Sequence, residues 1–149
     1  MKSDLESILE LQKHNLQKMM GVLKNHQTAL IHNDLKQIED SITSEEVLLQ
    51  NIMKAETEKN TIIERLDKQY SLHLIKPSLT NLLIAIKRKE GFNYDSLQKL
   101  QFIISKLTLE ISRINLQNRV LIENAKTFIK NTITALVGQN KRQLLDKRL

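Results

Sequence analysis

The sequence is poor in the residues that build sheets, tight turns and cross-linked cores. It contains no cysteine, no tryptophan, one proline and three glycines in 149 positions, and only 3% of its residues are aromatic. Without cysteine, disulfides, thiolate zinc sites and cysteine nucleophiles are excluded, and a reducing compartment suits the chain. Because residues that favour turns and strands are both scarce, the composition predicts an all-α fold.

Long apolar runs are also missing. No stretch approaches the roughly 18 apolar residues of a transmembrane helix, so no membrane insertion is expected. The first ten residues include Asp4 and Glu6, which do not suit the apolar segment of a signal peptide. These features predict a soluble intracellular helical protein.

The charge is unevenly distributed along the chain. The net charge of +6 divides into −3 for residues 1–75 and +9 for residues 76–149. Two interpretations stay open at this point: the basic half steers an acidic partner toward itself, or it complements the acidic half inside one bundle.

The apolar periodicity is most regular between Asp95 and Gly138, where the spacing alternates between three and four. This spacing is typical of an α-helix in coiled-coil packing. We expect Asp95 to cap the helix and Gly138 to end it. A helix of roughly 43 residues would need packing partners along its whole length. The row consists of Leu97, Leu100, Ile104, Leu107, Ile111, Ile114, Leu121, Ala125 and Phe128, with Asn118 in the one polar slot.

Two long helices are predicted before this one. The first has an apolar row that includes the polar residues Gln12 and His26. At its start, Ser3 followed by Glu6 fits a capping box. The turn at Asn33 sends the second helix back antiparallel. The second helix has an irregular middle, and a second, shifted row there predicts a stutter near residues 48–52. The first row is Leu35, Ile38, Ile42, Leu49, Ile52, Ile63, Leu66 and Tyr70, and the shifted row is Leu48, Ile52, Ala55, Ile62 and Leu66.

A short helix follows Pro77, which ends the second helix, and Ser78 is its expected cap. The prediction is therefore an elongated antiparallel three-helix bundle or coiled coil, with a short helical insert before the last long helix. Residues 1–138 form one domain with helices at about 4–32, 35–75, 78–88 and 96–137, and residues 139–149 form a basic, flexible tail.

Enzymatic chemistry is not expected. The four histidines do not pair at the i, i+4 spacing of a helical metal site, and no glycine-rich phosphate loop is present. We predict no catalytic residue, no metal and no cofactor.

The last long helix has more apolar surface than one row. Phe102, Leu109 and Leu116 repeat every seven residues, and Val120 extends this second stripe, about 170° from the first row. The short insert covers the stripe in one interpretation, and the stripe is an open docking face in the other. Toward Val137 the apolar surface also broadens, and a shorter first helix would leave it uncovered.

The segment NLQNRVLIENAKTFIKNTITALVG, residues 115–138, resembles the end of the FlgN-type flagellar export chaperones. That family has two asparagines three apart, then a pair of aliphatic residues, then apolar positions leading to a final leucine. The turn and the start of the second helix are similar as well, whereas the short basic run at the C-terminus departs from the family pattern. The matching positions are Asn115, Asn118, Leu121, Ile122, Phe128 and Leu136.

The resemblance implies a cytoplasmic chaperone for the hook–filament junction (hook-associated) proteins. It would bind their C-terminal helical segment, prevent premature assembly and deliver them to the flagellar type III export apparatus. Asn115 and Asn118 either orient the bound peptide or fix register inside the bundle. The expected client-binding residues are Asn115, Asn118, Leu121, Ile122, Ala125, Phe128, Ile129, Ile133, Leu136 and Val137.

Two alternatives remain. One is a structural coiled-coil adaptor or homodimer. The other, not favoured because no recognition motif accompanies the charge, is a nucleic-acid-binding helical protein. Its phosphate contacts would be Lys87, Arg88, Lys89, Arg113, Arg119, Lys126, Lys130, Lys141 and Arg142.

Overall fold

The computed structural model describes the backbone of residues 2–148 and the side chains of residues 2–139. Four helices follow one another: α1 (Lys2–His32), α2 (Leu35–Tyr70), α3 (Leu79–Ile86) and α4 (Tyr94–Arg148). Helix α1 packs against both α2 and α4, and the short α3 lies against α2 and α4. The predicted all-α bundle with a short insert before its last helix is confirmed.

Helix α1 is the centre of the bundle. Two side-chain contacts, Ser96 Oγ to Glu6 Oε1 at 2.5 Å and Gln27 Nε2 to Gln117 Oε1 at 3.0 Å, join residues that are both 90 apart in sequence. Therefore α4 runs parallel to α1 in constant register. Helix α2 runs antiparallel to α1, and nowhere in the described part of the chain do Cα atoms of α2 and α4 come within 8 Å.

The helix boundaries differ from the predictions for local reasons. The second helix ends at Tyr70 and not near residue 75, because Ser71 adopts a left-handed conformation (φ 49°) and its N–H bonds to the Asp67 carbonyl. Ser78 caps α3 as the sequence predicts, with its side chain accepting from the Asn81 N–H. The Ser3–Glu6 capping box is wrong, since α1 begins at Lys2 and the Glu6 carboxylate accepts from Ser96.

Both predicted ends of the last helix are also wrong. It begins at Tyr94, and the Asn93 side chain, not Asp95, accepts from the Ser96 N–H at 3.4 Å. At the other end α4 continues through Gly138 to Arg148, since an internal glycine costs a helix only about 1 kcal/mol and does not force a stop. The predicted flexibility of the tail concerns residues whose side chains lie outside the described part.

The buried side chains form two clusters of unequal size. The larger one lies where α3 joins the bundle and combines Leu5 and Leu9 of α1 with Leu66 of α2, Leu82 of α3 and Leu97 of α4, among others. The smaller cluster has three buried members, Met19, Leu23 and Ile114, with Leu48, Ile52 and Ile111 packed against them. The predicted stutter in α2 is wrong, because the residues that face α1 keep one heptad register along the helix. They are Ser41, Glu45, Leu48, Ile52, Ala55, Ile62 and Leu66, whereas Leu35, Ile42 and Leu49 lie outside this row and are exposed.

Polar side chains are built into the α1 interfaces. Gln12 donates to the Glu56 carboxylate at 2.6 Å, and His26 Nδ1 lies 2.5 Å from Glu45 Oε1. Gln12 and His26 are both buried, at the positions in the apolar row of α1 where the sequence places them. These contacts also fix the position of α2 along the axis of α1.

Candidate helix-binding surface

The last helix extends far beyond the helix that it packs against. Since α1 ends at His32 and the offset between α1 and α4 is 90 residues, α4 loses its neighbour at about Ile122. We call α4 from Glu123 onward the overhang. Its 26 residues to Arg148 span about 39 Å at 1.5 Å per residue.

The apolar residues of the overhang are exposed to solvent. Phe128 is 71% exposed and Ile129 56%, and Ile133, Leu136 and Val137 are similarly open. Leu121, Ile122 and Ala125, at the edge of the bundle, are half-buried. Beyond about Ile122 the last helix therefore has no packing partner within the described part of the chain, because α1 is too short to reach Phe128. The expectation that its apolar surface outlasts its cover is confirmed.

A groove of about 330 Å³ leads from the bundle toward the overhang. Leu16, Met19 and Leu23 of α1 form its floor, and the two helices that do not touch form its walls. Ile42, Glu46 and Leu49 are on the α2 wall, and Ile111 and Asn115 on the α4 wall. On α4, Ile122 and Ile129 follow Asn115 at intervals of seven, so they continue the same wall onto the overhang.

The chain fills the other end of this space with a helix of its own. Leu79, Leu82, Leu83 and Ile86 of α3 recur at i, i+3, i+4 and i+7, and all four are buried in the larger cluster. Helix α3 contacts both α2 and α4, and Gln101 of α4 donates to its Thr80 at 2.8 Å. A short amphipathic helix thus bridges α2 and α4 at one end, while the groove stays open at the other.

The two predicted asparagines have different environments. Asn118 is buried, and its Nδ2 donates to the Leu23 carbonyl at 3.1 Å. Its Oδ1 and the Nε2 of His26 are the buried side-chain atoms that have no hydrogen-bond partner within residues 2–139. Asn115 is exposed and lines the groove. Of the two interpretations, the geometry favours register inside the bundle for Asn118 and leaves peptide contact to Asn115.

The second stripe points away from the bundle. Phe102, Leu109, Leu116 and Val120 are all exposed, with Leu109 at 72%. The interpretation in which the insert covers this stripe is wrong, because α3 packs on the opposite side of α4, near Leu97 and Gln101. Beside the stripe, Arg113 donates to the Glu110 carboxylate at 2.8 Å and holds the pKa of that carboxyl below its usual range.

The basic residues proposed for nucleic acid do not form one patch. Lys87, Arg88 and Lys89 follow α3 near the start of α4, where the Lys89 ammonium donates to the Tyr70 carbonyl. Arg119 lies 25 residues beyond Tyr94 on α4, about 37 Å away along the helix axis. Lys141 and Arg142 have side chains outside the described part.

The described part of the chain was compared with the requirements of a metal site and of a membrane span. It contains no group of three or more His, Asp or Glu side chains positioned to hold a metal ion. In residues 2–148, no helix combines the length and the hydropathy that crossing a bilayer requires.

Sequence reasoning missed the floor and the α2 wall of the groove. The signal was present in α2, because Ile42 and Leu49 lie on a face of the helix that has no partner when Leu48 and Ile52 pack against α1. A row of aliphatic residues without a partner inside the chain is a candidate contact surface.

Comparison with known proteins places the chain in a family. Neither curated proteins nor solved structures show significant similarity to the chain. The profile of a family described as FlgN protein matches residues 1–145, nearly the whole sequence. That family consists of flagellar export chaperones, which are not enzymes. The chain belongs to the FlgN family.

Proposed function

We propose that this chain is a cytoplasmic chaperone that binds the C-terminal helical segment of hook–filament junction proteins. It keeps that segment from assembling early and hands the client to the flagellar type III export apparatus. Membership in the FlgN family supports an export-chaperone role. The observation that carries the proposal further is the apolar wall that runs from Asn115 through Ile122 and Ile129 to Ile133 and passes out of the bundle uncovered.

The geometry suits an amphipathic helix. The open wall from Asn115 to Val137 spans 22 residues, about 33 Å, so it accepts a helix of about the same number of residues. Helix α3 already shows which pattern fits between α2 and α4, with apolar residues at i, i+3, i+4 and i+7. A client helix would extend this packing into the open groove and along the overhang, with no requirement for nucleotide or metal.

The test is binding of a junction-protein C-terminal segment to the full chain, measured by titration calorimetry. Ile129→Glu and Ile133→Glu should each weaken binding at least about tenfold, since each removes apolar contact worth roughly 1–1.5 kcal/mol and puts a charge against the client. Circular dichroism should remain helical, because both side chains are exposed in the free chain.

Leu109→Glu is the matched control. Leu109 is on the same helix and is exposed like Ile129, but it faces away from the groove. Its replacement should leave client affinity unchanged. If Ile129→Glu and Ile133→Glu bind the client as well as the unmodified chain, the proposed surface is wrong.

A second function, as a coiled-coil adaptor or homodimer, is favoured by the second stripe. The exposed row Phe102, Leu109 and Leu116 would be covered by a second helix. Light scattering tests it directly: a dimer that becomes a monomer on Leu109→Glu would assign the stripe to self-association. A monomeric unmodified chain would exclude it.

A further inference from the structure

The two walls of the groove carry opposite charge. On α2, Glu45 and Glu46 line the groove, and Glu39 precedes Glu46 by seven residues and lies in the same row. On α4, Arg119 follows the groove residue Asn115 by four. Lys126 follows Arg119 by seven and Lys130 by eleven, so the basic row runs along the edge of the apolar wall.

The two charged rows are also displaced along the bundle. The contact between His26 and Glu45 puts the acidic row beside the C-terminal part of α1, and Glu46 lines the same groove as Asn115. Lys130 is fifteen residues beyond Asn115, about 22 Å along α4. A helix lying in the groove and on the overhang therefore has Glu39 and Glu46 beside one end, with Arg119 on the opposite wall, and Lys126 and Lys130 beside the other end.

The charges at both ends are accessible to a ligand. Glu45 already contacts His26, which leaves Glu39 and Glu46, both exposed, to face a bound helix. Lys126 lies 3.6 Å from Glu123 within the overhang, but both side chains are about two-thirds exposed, and such pairs contribute little. Lys126 and Lys130 are therefore able to pair with carboxylates of a ligand.

We infer that this surface fixes the direction of the helix it binds, an inference that rests on the proposed function. The ligand is an amphipathic helix whose N-terminal half is basic and lies in the groove beside Glu46, and whose C-terminal half is acidic and lies along Lys126 and Lys130. It runs parallel to α4. Its partial positive N-terminus then faces the acidic wall and its partial negative C-terminus the basic row, so dipole and side chains favour the same direction.

The experiment uses two designed peptides of about 22 residues with identical apolar positions at i, i+3, i+4 and i+7. One is basic in its N-terminal half and acidic in its C-terminal half, and the other has the reverse order. Because the chain contains no cysteine, Gln50→Cys near the groove and Gln139→Cys on the overhang each provide a single site for a fluorescent donor. The peptide N-terminus carries the acceptor.

The basic-first peptide should transfer energy efficiently at Gln50→Cys and poorly at Gln139→Cys. The acid-first peptide should bind several-fold more weakly and show the opposite pattern, because its side chains and its dipole favour different directions. Equal affinity with no end preference, or the same orientation for both peptides, would overturn the inference. A chain that binds neither peptide would also overturn it.

Reversing the walls provides the decisive control. A chain carrying Glu39→Lys, Glu46→Lys, Lys126→Glu and Lys130→Glu should prefer the acid-first peptide. The control chain carries Lys99→Glu and Lys106→Glu beside the outward stripe together with Glu58→Lys and Glu64→Lys on α2, so its net charge is also unchanged, and it should alter nothing. If Ile129→Glu abolishes binding of the junction-protein segment while peptide direction is random, this inference fails and the proposed function stands. If the peptides orient as expected and no junction-protein segment binds, the proposed function fails and the directional preference of the surface stands.

Discussion

Two isoleucines on one helix separate the covered part of α4 from the uncovered part. Ile114 is 2% exposed and packs in the smaller cluster with Met19 and Leu23, whereas Ile129, fifteen residues later, is 56% exposed. Replacing each by alanine makes the same chemical change on the same helix. The difference in stability between Ile114→Ala and Ile129→Ala therefore measures how much the bundle covers each position.

The expected magnitudes differ clearly. Ile114→Ala leaves a cavity against α1 and should cost about 3 kcal/mol, within the usual range for buried isoleucine. For a chain of this length, that lowers the unfolding midpoint by about 6–12 °C. Ile129→Ala removes no buried contact and should change the unfolding free energy by less than about 0.5 kcal/mol, with alanine's better helix propensity offsetting part of any loss.

The assay is thermal unfolding of the full chain, followed by far-ultraviolet circular dichroism and by calorimetry. The two variants should have midpoints several degrees apart, with Ile129→Ala close to the unmodified chain. Equal destabilisation by both would mean that the overhang is packed against protein in solution. The uncovered surface, and the proposals that depend on it, would then be refuted.

Substitutions at three further positions test packing and capping within the bundle by urea unfolding or hydrogen exchange. Asn118→Leu should raise the unfolding free energy by about 1 kcal/mol, because it removes a buried carbonyl oxygen that lacks a partner; a loss of similar size would show that the bond to the Leu23 carbonyl outweighs that cost. Gly21→Ala should stabilise by about 0.5–1 kcal/mol, since a Cβ there meets no atom within 4 Å, and destabilisation would contradict this geometry. Ser78→Ala should cost about 1 kcal/mol through the lost cap of α3, whereas Ser78→Asp should retain the cap and exchange protection; equal exchange in both would exclude a capping role.

Local periodicity predicts much of this fold because helix rows depend only on spacing. The apolar row of α1 was predicted with Gln12 and His26 as its polar members, and both are buried there. The uncovered end of α4 was also predictable, because it requires only that the first helix be shorter than the last.

Boundaries and partners depend on information that spacing does not contain. Gly138 permits a helix end but does not impose one. Whether Asp95 or Asn93 caps the helix depends on the conformation of the preceding loop, which spacing does not predict. The position of α3 was not predictable either, because several apolar rows compete for one short helix. The groove floor at Met19 and Leu23 exists only because α2 and α4 both contact α1 without contacting each other.

The smaller cluster leaves one half of the bundle with few buried apolar side chains of its own. In that half, α1 contacts two helices where a complete four-helix arrangement would give it a third neighbour. Under the proposed function, a client helix on the vacant side supplies the missing neighbour, so client binding and stabilisation of the bundle become one equilibrium. At a free client concentration a hundred times the dissociation constant, binding would raise the free energy of unfolding of the chain by about 2.7 kcal/mol. If the proposed function holds, the chain without its client is easier to unfold than the complex, so its lifetime would depend on whether the client is bound.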